Sequence, residues 1–142
     1  MTEKEFINKW KTGISLEGIK NFPSDFFTTQ DCTEYSLDEK TLMIGEEFFG
    51  KYEILDAKGN VFLQVNDYLQ AKYLVYSSRN KVKKVNMPNN NSELKNMITE
   101  YEKYLDSLLI KIQNDYKKIF HSTTNLHKVT NEIFHSLNLT RY

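Results

Sequence analysis

The chain has 142 residues, of which 39% are hydrophobic, and it carries 19 basic and 19 acidic side chains. That length suits one ordinary domain with a real core, and the near-zero net charge disfavours nucleic-acid binding, which needs a basic excess or a basic face. The single cysteine, Cys32, excludes an internal disulfide and a cysteine-based zinc site. No apolar run could span a bilayer, and the N-terminal MTEKEFINKW lacks the apolar core of a signal peptide, so we expect a cytoplasmic protein.

The N-terminal part of the sequence predicts short helices followed by a loop. Residues 2–12 predict a helix because Thr2 and Glu5 have capping-box spacing and an apolar stripe follows them. A second helical turn is predicted over 15–19. The polar, turn-rich residues 28–40 predict a loop.

The middle of the chain predicts a sheet. Five segments rich in β-branched and aromatic residues read as strands: 41–45, 50–56, 61–65, 71–77 and 81–87. Residues 57–60, with Gly59 available for a positive φ, predict a hairpin turn. Because the connections are too short for crossover helices, we expect a mainly antiparallel sheet.

The C-terminal part predicts two further helices. A run without Gly or Pro from 92 to about 120 carries apolar residues every three or four positions, after a cap-like Asn90 and Glu93. A shorter helix is predicted over 124–137. The fold class is therefore α+β: a central, mainly antiparallel sheet of about five strands, with a short N-terminal helix, a long C-terminal helix and a final short helix.

No combination of residues predicts catalysis, a metal site or a cofactor. A metal site would require His121, His127 and His135 to share one helix face. Their spacings of six and eight residues do not place them on one face. Cys32 lies in an acidic stretch with no histidine signature nearby, unlike a catalytic thiolate. Glu46 and Glu47 are adjacent, so an extended strand would point them to opposite faces. We therefore expect a protein that is not an enzyme.

Charge is strongly segregated along the chain. Residues 31–56 contain eight acidic and two basic side chains, whereas residues 72–84 contain five basic and no acidic ones. The two segments could pair across neighbouring strands. Alternatively, the acidic segment could steer a basic protein partner, or the basic segment with Tyr73 and Tyr76 could contact RNA or DNA.

Several short motifs, in order and spacing, resemble the SUKH superfamily. Its strand–strand–hairpin is matched by Leu42-Met43-Ile44-Gly45, Tyr52-Glu53-Ile54-Leu55-Asp56 and Gly59-Asn60-Val61-Phe62. Its entry to a C-terminal helix and its proline motif are matched by Val85-Asn86, Asn91-Ser92-Glu93-Leu94, Tyr101, Tyr104-Leu105 and Phe22-Pro23-Ser24-Asp25-Phe26. The resemblance covers about residues 20–110, and it implies one SUKH-like domain over 1–142 with a helical extension at about 111–142.

The resemblance implies a binding function, because many bacterial members of that family are immunity proteins that neutralise polymorphic toxins, often nucleases or deaminases. We therefore expect an immunity-type protein whose partner is a cognate, basic toxin, with no membrane partner and no cofactor. The expected partner-binding residues are the acidic and aromatic ones of the acidic segment: Glu34, Asp38, Glu39, Glu46, Glu47, Phe48, Phe49, Tyr52 and Glu53.

Two alternatives remain open at the level of sequence. The long C-terminal helix could act as a structural or regulatory interaction module, pairing with a partner helix or with a second copy of the chain. The basic hairpin around residues 81–84 could bind nucleic acid weakly.

Overall fold

The computed structural model describes residues 1–14 and 31–142, and within them the chain forms four helices and five strands. In chain order these are α1 Glu3–Ile14, β1 Cys32–Ser36, β2 Met43–Phe48, β3 Lys51–Leu55, β4 Val61–Val65, α2 Tyr68–Ser78, β5 Lys84–Pro88, α3 Asn91–Phe120 and α4 Leu126–Ser136. The α+β class is confirmed. The helical turn predicted over 15–19 and the proline motif at 22–26 lie outside the described residues.

The described residues fall into two compact units. A helical unit contains residues 1–14 and 101–142, and a sheet unit contains residues 31–100. The expectation of one domain with an extension from about 111 remains a prediction.

The helical unit is built on α1, and its predicted cap is present. The backbone N–H of Glu5 donates to Thr2 Oγ1 at 3.1 Å, and the Thr2 hydroxyl donates to Glu5 Oε1 at 3.1 Å. One turn later Phe6 is completely buried, with its ring edge-on to Tyr116 at 5.6 Å and to Phe120 at 5.7 Å. The apolar stripe of α1 thus forms part of an aromatic core.

The strands form two antiparallel sheets, one with the order β2-β3-β4 and one pairing β1 with β5. Strands predicted over 41–45, 50–56 and 61–65 correspond to the three-stranded sheet, and the turn at Gly59 has a φ of +84°. α2 packs against all three of these strands, and Ile54 and Val65 are buried.

The strand predicted over 71–77 is wrong, because these residues belong to α2. Seven residues of α2 are buried, including Tyr73, Leu74, Val75 and Tyr76, so the segment is apolar on several sides and shows no helical period. The Asp67 carboxylate accepts the backbone N–H of Leu69 at 2.7 Å and caps the helix. α2 connects strands of two different sheets and is not a crossover between parallel strands, and the predicted antiparallel pairing is confirmed.

The loop predicted over 28–40 is wrong for Cys32–Ser36, which forms β1, whereas residues 37–40 form a turn as predicted. Most side chains of this strand are exposed, and none is strongly apolar except Tyr35. Its pairing comes from backbone register with β5, in which Cys32 lies opposite Pro88 and Ser36 opposite Lys84. Such pairing leaves no hydrophobic alternation in the sequence.

The long helix α3 is unbroken over 30 residues, a length of about 45 Å. The Asn90 side chain accepts the backbone N–H of Ser92 at 2.9 Å, so the predicted cap is confirmed. Residues 91–100 belong to the sheet unit and 101–120 to the helical unit. Its apolar stripe is buried: Leu94, Ile98, Tyr101, Leu105, Leu108, Ile112 and Tyr116. In the described ranges, no helix is both long and apolar enough to cross a membrane.

Candidate protein-binding surface

The expected partner-binding residues lie in the sheet unit, but on two different sheets. Glu34 lies in β1, and Asp38 and Glu39 form the turn that follows it. The remaining residues lie on the hairpin of β2 and β3: Glu46, Glu47, Phe48, Phe49, Tyr52 and Glu53. The structure therefore divides the predicted site into a β1 group and a hairpin group.

The β1 group lies beside the basic segment of the chain. Glu34 Oε1 is 3.5 Å from Lys84 Nζ, across the β1–β5 pair. The backbone N–H groups of Asp38 and Glu39 donate to the carbonyls of Lys83 and Val82, each at 3.1 Å. This is the cross-strand pairing that charge segregation suggested, and it reduces the net charge that this group presents.

The hairpin group ends in two exposed phenylalanines. Phe48 is 62% exposed and Phe49 is 94% exposed, and their rings meet edge to face with centroids 4.8 Å apart. Glu46 and Glu47 precede them and are also exposed. Within residues 1–14 and 31–142, neither glutamate has an ion pair or a side-chain hydrogen bond. Exposed rings beside unpaired carboxylates are unusual on a surface that faces only water.

The turn that carries Phe49 has a strained backbone. Phe49 has a φ of +52° and Gly50 a φ of +78°, and the turn is closed by pairing Phe48 with Lys51. Two central residues with positive φ define the type I′ hairpin turn, whose first position favours Asn, Asp or Gly. A bulky L-residue there costs about 1–2 kcal/mol. Strain of this kind concentrates at functional sites.

Five other described non-glycine residues also have a positive φ: Asp38, Glu39 and Lys81, which lie in turns, and His121 and Asn138. His121 and Asn138, with φ of +53° and +54°, follow the ends of α3 and α4, where this conformation commonly terminates a helix. Phe49 follows no helix, and its side chain is not part of the core. Phe49 is the apolar residue among the six described non-glycine residues with a positive φ.

An apolar row on the outer face of the three-stranded sheet extends the hairpin group. Met43 lies opposite Leu55, and Leu55 lies opposite Val61, so the three side chains share one face. Met43 is 41% exposed and Val61 is 50% exposed, while Leu55 lies over Gly45, where an added Cβ would approach its Cδ1 to 2.9 Å. This is the face opposite to α2, because the neighbouring Ile54 is buried.

The row was not predicted, although the sequence contained a signal for it. Met43 lies between Leu42, which is buried, and Ile44, so strand alternation places it on the opposite face. Together with the tip, the exposed members define what we call the hairpin surface: Met43, Glu46, Glu47, Phe48, Phe49 and Val61. Within this set Glu47 pairs with Tyr52, so its side chain lies on the face towards α2, whereas Met43 and Val61 lie on the outer face.

Tyr52 and Glu53 contribute to this surface differently from the prediction. Tyr52 is half-buried, and its ring lies 5.2 Å from that of Tyr68, over which Lys72 is placed at 5.0 Å. Glu53 is half-buried in the central strand opposite Gln64. Both residues support the hairpin rather than project from it.

Groups that could support other chemistry are dispersed. Among the described residues, no set of three or more His, Cys, Asp or Glu side chains is arranged to hold a metal ion. His121, His127 and His135 are all exposed. Cys32 is partly buried.

The helical unit contains a cleft of about 280 Å³ between α3, α4 and the C-terminal residues. Leu105, Leu109 and Phe134 line it, with Asp106 and Arg141 among its polar residues. Arg141 Nη1 lies 2.6 Å from Asp106 Oδ2, and its Nε lies 3.5 Å from Glu102 Oε2. The charged side chains around this cleft thus form ion pairs with one another, unlike Glu46 and Glu47 of the hairpin surface.

Comparison with known proteins identifies no relative: no protein-family model, no curated protein and no solved structure matches the chain. The resemblance to the SUKH superfamily therefore stays a prediction. A functional conclusion therefore has to rest on the arrangement of the hairpin surface.

Proposed function

We propose that this chain binds a basic protein partner through its hairpin surface and that it acts as an immunity-type protein, neutralising a toxin by occluding it. The observation that carries the proposal is the pair Phe48 and Phe49, exposed at the tip of a strained hairpin and flanked by unpaired glutamates. No catalytic step is required of the chain.

The composition of the surface supports protein binding. Aromatic residues and methionine are enriched in the centres of protein interfaces, and a few such anchors supply most of the binding energy. Phe48, Phe49 and Met43 are candidates for that role. A stable complex needs about 1,600 Å² of total buried surface, so the apolar row and the turn would both have to be covered.

The charge of the surface supports a basic partner. Glu46 and Glu47 are exposed and unpaired within the described part of the chain, with Glu53 on the next strand and a single basic residue, Lys51, opposite Phe48. Unpaired carboxylates accelerate association with a positively charged protein. A nuclease or deaminase toxin fits this description because its substrate is a polyanion.

The alternative of an interaction module acting through α3 has less support. A partner helix would need the apolar stripe of α3, but that stripe is buried in this chain. The one large apolar residue of α3 that is well exposed is Ile110, at 56%.

Co-expression with the product of the neighbouring gene tests the proposal. The wild-type chain should restore growth to cells that express that product, and a Phe48→Ala/Phe49→Ala variant should not. In calorimetry, the double variant should bind at least about 30-fold more weakly, as expected for the loss of a major anchor.

Lys58→Ala is the matched control, because Lys58 is exposed in the other turn of the same sheet. It should rescue growth and bind like the wild type. A neighbouring product that is not toxic, or rescue that survives the double substitution, would contradict the proposal.

A further inference from the structure

We infer that the β2–β3 turn is a preformed plug, and that it fits an apolar pocket of the partner, one aromatic ring wide, with Lys or Arg side chains around its mouth. This inference rests on the proposed function and specifies the partner surface. Phe49 is its specificity-determining residue.

The ring of Phe49 is available to enter a pocket. It is 94% exposed, so almost none of its apolar surface is used within the chain. Its described ring contact is with Phe48, at an interplanar angle of 88°, and this contact leaves the Phe49 side chain almost fully exposed. Transfer of such a ring from water to an apolar pocket is favourable by about 25 cal/mol per Å² of buried surface.

The turn fixes the backbone that carries the ring before a partner arrives. A two-residue turn between paired Phe48 and Lys51 leaves the backbone little freedom, and both central residues are left-handed. Asn at position 49 would satisfy this geometry without strain. Phenylalanine is therefore less favourable for folding here, and its presence is explained by an interaction outside the chain.

The pocket should be rimmed by cations because the turn is flanked by carboxylates. Glu47 and Glu46 lie two and three residues before Phe49, which is about 7–10 Å along an extended strand. Lys51 offsets one of these charges and leaves the tip negative. A ring inserted in a pocket would place both carboxylates near its mouth.

Synthetic hosts can test this recognition without the natural partner. β-Cyclodextrin carrying amino groups on its rim offers an apolar cavity with a cationic mouth, and sulfated β-cyclodextrin offers the same cavity with an anionic mouth. NMR titration should show the Phe49 ring binding the amino host more tightly than the sulfated one, on the order of fivefold for one or two screened charge pairs. Glu46→Gln/Glu47→Gln should reduce that preference to less than about twofold.

Phe49→Asn supplies a second, independent readout. It should abolish the titration of the tip by the amino host and raise the melting temperature of the full chain by about 2–5 °C, because relief of strain outweighs the lost ring contact. Lys58→Asn, in the other hairpin turn, should change neither quantity.

The outcomes separate the inference from the proposed function. Equal binding of both hosts, or a melting temperature that falls in Phe49→Asn, would overturn the inference even if a toxin is bound. Host preference and a raised melting temperature without any toxin partner would support the plug and overturn the immunity function.

Discussion

The helical unit and the sheet unit use the same kinds of side chain in opposite ways. In the helical unit, acidic residues accept hydrogen bonds from distant parts of the chain: Tyr116 donates to Glu3 at 2.7 Å, and Trp10 donates to Asp115 at 3.0 Å. On the hairpin of the sheet unit, Glu46 and Glu47 have no such partner within the described residues.

The aromatic residues differ in the same sense. Phe6 is fully buried among Trp10, Tyr116 and Phe120, whereas Phe49 is 94% exposed beside a single ring. Hydrogen-bonded carboxylates and buried rings stabilise a fold. Carboxylates without a partner and exposed rings at a strained turn contribute little to its stability. The difference indicates that the residues that stabilise the fold are distinct from those that we propose for recognition.

The largest change in stability should come from substituting Phe6, the buried phenylalanine of the two compared above. Phe6→Ala should lower the free energy of unfolding by about 3–5 kcal/mol, since it leaves a cavity among packed rings. Urea unfolding followed by fluorescence will measure it, because Trp10 is the only tryptophan and lies 6.4 Å from the Phe6 ring.

Phe49→Ala is the matched substitution at the exposed site, and it should change the free energy of unfolding by no more than about 0.5 kcal/mol. Comparable losses for the two variants would break the division between stability and recognition.

The elements that the sequence predicted well are those with one apolar face. α1, α3 and α4 each carry such a stripe, and the caps at Thr2 and Asn90 marked where two of them begin. α2 was missed because burial on several sides removes periodicity, and β1 was missed because its polar side chains are mostly solvated. In both cases tertiary surroundings, rather than local preference, determine the element.

The sequence predicted the exposed residues of the hairpin group, but it did not predict the surroundings of the β1 group. Glu46, Glu47, Phe48 and Phe49 were identified from charge and aromatic content, and all four are exposed. Sequence could not show that Glu34 faces Lys84, because that contact joins strands 50 residues apart. The strain at Phe49 is likewise a property of backbone conformation that only the structure reveals.

A smaller effect should follow from removing a satisfied carboxylate. Asp115→Ala should lower the free energy of unfolding by about 1–2 kcal/mol, because Asp115 Oδ2 accepts from Trp10 Nε1 at 3.0 Å and from Lys9 Nζ at 3.1 Å at a partly exposed site. The emission of Trp10 should change as its partner is lost. Glu47→Ala, the counterpart on the hairpin, should stay within about 0.5 kcal/mol; a larger loss there would show that Glu47 has a structural role.

Alkaline pH provides a further comparison through Tyr116. Its hydrogen bond to Glu3, burial and the Glu3 charge raise the pKa of Tyr116 above the ordinary value of 10.0. Because the folded state then holds the proton more tightly, this stabilisation is complete below pH 10 and is lost as pH rises through the raised pKa. The wild type should therefore have a larger free energy of unfolding than Tyr116→Phe below pH 10, and this difference should decrease as the pH rises above 10.

Absorbance of the phenolate during titration will test the same interaction directly. Glu3→Gln should lower the pKa of Tyr116 and so move part of the phenolate absorbance towards lower pH. Glu5→Gln is the control, because Glu5 bonds to Thr2 instead. If the titration curves of Glu3→Gln and the wild type superimpose, Glu3 is not the cause of the raised pKa of Tyr116.

The smallest effect should come from the ion pair of Glu34 with Lys84, which joins the acidic and basic segments. Glu34 and Lys84 have side chains 58% and 64% exposed, and a pair so hydrated contributes about 0.5 kcal/mol or less. A double-mutant cycle of Glu34→Ala and Lys84→Ala, followed by urea unfolding, should give a coupling energy in that range that vanishes in high salt. The same substitutions should leave partner binding unchanged, since this carboxylate already has a cation beside it. If Glu34→Ala instead weakened partner binding as much as Glu46→Gln/Glu47→Gln, the recognition surface would have to include the β1 group, and the division of the acidic segment into a paired and an unpaired part would be wrong.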